Sequence, residues 1–421
     1  MRRLAFLITF LSLVLVVNFA IAGQQITLSF WKFTAPPDDP IIEKYVNLWN
    51  ETHPDIQVKF ITMPWSDYTG TALPAAFASG EAPDIFWLSP GDLLRYVNEG
   101  ILLPLNNLVT EEELADLLPE ARKRPTVEGT LYGLPVEIEP VAIFYNVNLF
   151  KESGLDVPKS FEALLNAAEK LKTKDRYSII IDPVPSYYQL FIWYPFLWGA
   201  GADVMSPDWK KATMDTEGAI AALKIWGDFI QKGYSPSTLP MPAGSIDPLV
   251  TGLGAMQLVG MWVLSSLEQN PPDFEVGIFP VPALREEMSP ASVFGGWNFV
   301  INSKTRYPEE ATAFCRWIIF ESDFLKEYCV DRASKLPSRV SVLEAGRETF
   351  SRNPLAIEFI DKILPIARPE PRYPTDVVKI LMDTLSFVMF TGLDPKEAAR
   401  SANAQIQSYL DTYKGRIGAY D

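Results

Sequence analysis

Gln25-Ile-Thr-Leu-Ser-Phe30 and Ile56-Gln-Val-Lys-Phe-Ile61 alternate apolar and polar residues. Between them, Asp39–Thr52 carries apolar residues at Ile41, Ile42, Tyr45, Val46, Leu48 and Trp49. The first pattern has the two-residue period of a strand and the second the period of a helix, with Pro40 in its first turn. Another helix is predicted over 65–79, followed by the short strand Asp84-Ile-Phe-Trp87. Strand, helix, strand, helix, strand at this spacing predicts an α/β fold whose parallel sheet is covered by helices. Further helices are expected over 160–173, 216–233, 308–320, 355–363, 374–391 and 394–413. The Pro-rich stretch 366–374 reads as a rigid connector.

The 421 residues suggest two or three domains. Hydrophobic content of 48% and charged content of 21% exclude general disorder. A net charge of −15 argues against a protein that grips nucleic acid by its phosphates, so no nucleic-acid partner is expected. One histidine, His53, and two cysteines leave no zinc-finger spacing and no catalytic triad that does not use His53. His53, before Pro54, reads as a capping or surface residue. No nucleophile elbow, Walker loop or complete dinucleotide fingerprint occurs, and neither a metal nor a cofactor is expected. The 11 Trp, 16 Tyr and 25 Phe stand out as a supply of flat faces.

Residues 1–22 have a basic start (Arg2, Arg3), an apolar run and small residues at Ala20 and Ala22. This is the layout of a secretory signal peptide cleaved after Ala22. No cysteine follows the run, so lipid attachment is not expected; an uncleaved anchor is the alternative reading. Cys315 and Cys329 would lie about 21 Å apart on one helix, beyond disulfide reach. A bend near 321–323 would permit a bridge; two buried thiols are the other reading.

Several segments together carry a resemblance. Gly80-Glu-Ala-Pro-Asp-Ile-Phe86, Tyr96-Val-Asn-Glu-Gly100-Ile-Leu-Leu-Pro104 and Gly129-Thr-Leu-Tyr-Gly-Leu-Pro-Val136 come first. Gly154-Leu-Asp-Val-Pro158, Gly260-Met-Trp262 and Gly295-Gly-Trp297 follow in order. The chain so resembles the extracellular solute-binding proteins of the sugar-binding, maltose-binding-protein-like family, the ligand receptors of ABC importers. The resemblance implies a two-lobe periplasmic binding protein fold with discontinuous lobes, a hinge and an interlobe cleft. The N-terminal lobe is expected from 23–139 and 290–336, and the C-terminal lobe from 140–289 and 337–421. It also implies a carbohydrate ligand, an oligosaccharide given the many platforms, an ABC transporter permease as partner, a periplasmic or extracytoplasmic location and a monomer.

A sugar cleft needs aromatic platforms beside groups that hydrogen-bond hydroxyls. Each of the first three strand exits supplies that pair: Trp31 and Lys32, then Trp65 and Asp67, then Trp87 with Ser89 and Asp92. Glu137 is expected to accept hydroxyls near the first lobe crossing. Trp193 and Trp198 before a Gly-Ala-Gly turn, Trp262 beside Gly260, Gly296 and Trp297 at the return crossing, and Arg372 and Tyr373 complete the candidate site. Trp262 stands where the family places a stacking tryptophan. Trp49, Trp226 and Trp317 lie on helical stripes and are assigned to the core. Two other classes compete. One is a receptor of the same fold for a polyol, phosphorylated polyol or polyamine. The other is a secreted glycosidase using Glu137 and Glu139, which share one face of an extended segment.

Overall fold

The computed structural model describes residues 25–36 and 38–420, so the predicted signal segment lies outside the described residues. The opening pattern folds as its periodicity dictates. Strands Ile26–Phe33 and Ile56–Met63 pair in parallel with Phe30 opposite Phe60, and the helix Asp39–Thr52 crosses between them. Ile85–Leu88 adds a third parallel strand on the other side of Ile26–Phe33. Asn298–Ile301 returns from far along the chain, antiparallel to Ile85–Leu88, and Leu134–Pro135 closes the edge. The predicted 65–79 helix forms with a wide turn, Tyr68–Ala72, in its middle.

A second sheet is built around Glu137–Asn146, which is buried along nearly its whole length. Gly254–Gly260 lies beside it, with Tyr177–Ile180 beyond, while Ser292–Gly295 and Ala367–Pro369 lie on its other side. Ala367–Pro369 is therefore an edge strand, where the sequence suggested only a connector. The helix Tyr187–Gly199 packs behind this sheet and is apolar on every side, as a helix buried all round must be. That absence of a polar stripe is why its periodicity was invisible.

The chain changes sheet between Pro135 and Glu137 and again between Gly295 and Asn298, against expected boundaries at 139 and 290. A third segment, Leu336–Pro337, pairs with the start of Glu137–Asn146. The three crossings bond side by side. The Val136 amide donates to the Trp297 carbonyl (2.9 Å) and the Ser338 amide to the Val136 carbonyl (3.1 Å). Arg124, fully buried, donates from its guanidinium to the carbonyls of both Gly295 and Glu137. Gly296 has φ +121°, and a Cβ there would sit 2.0 Å from the Glu137 carbonyl oxygen. Only glycine lets the strands approach this closely.

Trp49 and Trp226 lie in the cores, Trp317 packs against one, and His53 stacks on Trp49 at 3.5 Å between ring centroids. Cys315 and Cys329 are both free and buried, and burial pushes both thiols upward in pKa. No helix among the described residues is long and apolar enough to cross a membrane.

Candidate functional site

The carboxyl ends of the parallel strands face a cavity of about 340 Å³ between the two lobes. Trp65, Tyr68, Trp87, Ser89, Asp92, Tyr96 and Trp297 line one side; Ser186, Tyr187, Tyr188 and Met382 line the other. Open α/β sheets characteristically bind ligands at such an edge. A wider groove of about 530 Å³ runs along the outer face, between the helices Thr375–Ser386 and Pro395–Leu410. Its one aromatic is Tyr409.

Trp297 is the centre of the aromatic wall. Its ring lies parallel to Trp87 at 6.2 Å and edge-on to Trp65 at 5.5 Å, with Phe33 at 4.6 Å. Its backbone amide donates to Glu137 Oε1 at 2.7 Å, which ties the ring's position to the hinge. Trp65 starts the turn after the second strand and keeps 43% of its surface exposed. Ser89 caps the helix Pro90–Asn98 by accepting from the Asp92 amide. Opposite, Ser186 caps Tyr187–Gly199 and so sets Tyr187 and Tyr188 on the helix's first turn. Trp262 stands behind Tyr188, its Nε1 donating to the Gly244 carbonyl at 2.8 Å.

The polar contacts across the cleft are few and buried. Asp92 pairs with Arg95 at 3.2 Å and bonds the Tyr187 hydroxyl from the other lobe. Burial pushes the Asp92 carboxyl up, while Arg95 and Tyr187 oppose the shift. Nearby, the Glu370 carboxylate accepts from the Gly91 amide at the start of the same helix. A Cβ on Gly91 would lie 2.4 Å from Glu370 Oε1, so glycine makes the approach possible. Burial, reinforced by Asp92, pushes Glu370 up to about 8, against the pull of the Gly91 amide and Arg124.

From the ordinary value of 4.5 to about 8, the folded chain thus holds a proton that the unfolded chain has lost. Stability from this group is expected to fall as pH rises through that window, with a slope approaching about 1.4 kcal/mol per pH unit. Urea unfolding of Glu370→Gln should lack this slope. Parallel wild-type and variant profiles between about pH 5 and about pH 8 would refute the assignment.

Several residues expected at the ligand are placed elsewhere. Lys32 shares the buried face of its strand with Leu28 and Phe30, and Asp39 neutralises it at 2.6 Å. Trp193 is fully buried and donates to the Ala222 carbonyl, and Trp198 stacks on Tyr194 beneath Arg368. Arg372 spends its guanidinium on backbone carbonyls, among them those of Arg124 and Ala419. The Tyr373 hydroxyl donates to Asp203. Glu137 is buried in the hinge, not on the cavity wall, and Glu139 beside it pairs with Lys335 at 3.5 Å. Burial, and after it the repulsion from Glu139, pushes Glu137 up, with Lys335 opposing. Trp31 offers its carbonyl to the Tyr68 hydroxyl, Asp67 is exposed beyond Trp65, and Gly296 acts in the hinge; none of the three lines the cavity.

Residues 35–322 match the family of bacterial extracellular solute-binding proteins. The chain belongs to that family. The maltodextrin-binding protein MdxE of Bacillus subtilis is 23% identical, covering 86% of this chain and 85% of its own. An arabinooligosaccharide-binding protein of Halalkalibacterium halodurans is 25% identical over 68% of this chain and 66% of its own. Among solved structures, an ABC transporter solute-binding protein of Thermotoga lettingae, bound with α-D-tagatose, superimposes with a TM-score of 0.81. It is 22% identical and is covered 100%, against 92% of this chain.

For this solute-binding protein, sequence reasoning named Trp65, Trp87, Ser89, Asp92 and Trp297 on the first-lobe side and missed Tyr68 and Tyr96 there and, opposite, Tyr187 and Tyr188. The signal for the last two was there: they follow the strand Tyr177–Ile180, as Trp65 follows its own, behind a serine cap. Applying the strand-exit rule to the second sheet would have found them.

Proposed function

We propose that this solute-binding protein captures an oligosaccharide between its lobes and presents it to an ABC transporter permease. The observation that carries the reading is the cavity itself. Trp65, Trp87 and Trp297 come to it from one lobe and Tyr187 and Tyr188 from the other. Rings suit the C–H faces of a sugar. Ser89, Asp92, Ser186 and the Tyr187 hydroxyl offer donors and acceptors for its hydroxyls. The names of the maltodextrin- and arabinooligosaccharide-binding relatives support the same ligand class. The ligand is held and released unchanged, since the carboxylate pair a glycosidase would need, Glu137 and Glu139, is taken up by the hinge. The receptor is exported by its cleaved first 22 residues, carries no lipid and acts as a monomer.

The test is a titration of the mature protein with mono- and oligosaccharides, followed by tryptophan fluorescence over hours. A stable, saturable change with one sugar series is expected. A signal that decays as ligand is consumed would mean hydrolysis, and silence across the panel would sink the sugar reading.

A further inference from the structure

We propose that residues 413–420, which follow the last helix, form a strap that grips both lobes and holds the cleft narrow before any ligand arrives. The inference concerns the lobes themselves and goes beyond the identity of the solute. On the first-lobe side the strap meets the far end of the helix Pro90–Asn98 and the 126–131 hairpin. The Asn98 side-chain amide donates to the Tyr413 hydroxyl at 3.0 Å, and its carbonyl oxygen accepts from the Arg416 amide at 3.1 Å. Glu128 accepts from the Arg416 guanidinium and from the Ile417 amide, each at 3.3 Å. On the second-lobe side, Arg372 donates to the Gly418 and Ala419 carbonyls, both at 2.9 Å. The Tyr420 hydroxyl donates to the Glu370 carbonyl at 2.6 Å.

Gly418 marks the point where the strap meets both lobes at once. A Cβ there would lie 2.2 Å from the Arg372 carbonyl oxygen and 3.0 Å from both Leu94 and Trp209. Leu94 belongs to the first-lobe helix, whereas Trp209 and Arg372 belong to the second lobe. A slack segment could follow one lobe, but a three-sided contact cannot follow both. The near end of the same helix touches the second lobe across the cavity, through Gly91 on Glu370 and Asp92 on the Tyr187 hydroxyl. A swing that parts Asp92 from Tyr187 moves this helix as a rigid body, so Leu94 and Asn98 leave their strap contacts with it. The strap thus favours the arrangement in which Asp92 and Tyr187 touch. The exposed Arg416–Glu128 ion pair adds little by itself; the grip comes from the two strap amides and the packing at Gly418.

The test is small-angle X-ray scattering of the ligand-free mature protein beside two variants. Asn98→Ala combined with Glu128→Ala removes the first-lobe grip at two exposed positions. Gly418→Ala wedges the three-sided contact apart from within. In both, the radius of gyration should rise by about 0.5 Å or more, from about 21 Å for a compact chain of this length. Lys414→Ala, an exposed change on the strap itself, should leave it unchanged. Urea unfolding of each variant checks that it is folded. In a second arm, the sugar identified by the fluorescence panel is titrated calorimetrically. The double variant should bind it about threefold to tenfold more weakly, in proportion to the narrow fraction it has lost. A radius unchanged in the double variant, or raised equally by Lys414→Ala, overturns the proposal, as does binding as tight as wild type. If the radius responds and no sugar binds, the strap stands and the carbohydrate reading falls.

Discussion

Arg124→Ala is expected to cost about 3–5 kcal/mol of stability, because it removes a buried cation on which several groups depend. The guanidinium donates to the Gly295 and Glu137 carbonyls, one from each of two hinge strands, and no water reaches a side chain with no exposed surface. Alanine leaves both carbonyls without that donor and deprives Glu137, Glu139 and Glu370 of a nearby positive charge. Arg124→Lys restores charge but not the planar fork that spans two carbonyls, so it should recover less than half of the loss. Urea unfolding near neutral pH measures both variants. A loss below about 1 kcal/mol in the alanine variant would mean that the hinge strands hold their geometry without the bridge.

Trp297→Ala should weaken binding of the panel sugar by roughly 30-fold or more, the 2 kcal/mol scale of a central aromatic anchor. Its ring is the one that touches Trp87, Trp65 and Phe33 together, so its removal opens the wall at its middle. The backbone bond from residue 297 to Glu137 survives in alanine, which leaves the crossing strand tied. Trp297→Phe keeps a flat face and should stay within about fivefold of wild type. Calorimetric titration of the three proteins gives the comparison, with urea unfolding of each to exclude loss of folding. An alanine variant that binds as tightly as wild type would remove Trp297 from the ligand.

The first lobe was legible because its strands and helices are amphipathic: Ile42, Tyr45, Val46 and Trp49 are the buried face that the helical stripe foretold. The second lobe was less so. Glu137–Asn146 and Tyr187–Gly199 are buried on both faces, and a segment with no polar side has no period to read. The site divides differently. Trp65, Trp87, Ser89 and Trp297 come from strand ends and one crossing, positions that local pattern locates. Lys32 shows where that reasoning fails. Whether its ammonium faces a ligand or a carboxylate depends on Asp39, which the helix start places within 2.6 Å through tertiary packing. Arg372 and Trp193 fail likewise, because nothing local reveals which carbonyls a guanidinium or an indole will find.

The three hinge crossings, bonded edge to edge and bridged by Arg124, limit how one lobe can travel against the other. Three short ribbons lying abreast bend readily about the line across them and resist sliding, twisting or stretching. The lobes are so expected to swing along one arc, with the distance across the cleft mouth as the coordinate that changes. A dye pair on Thr69 and Val184 would read that coordinate directly, turning the molecule into a gauge whose needle has one track.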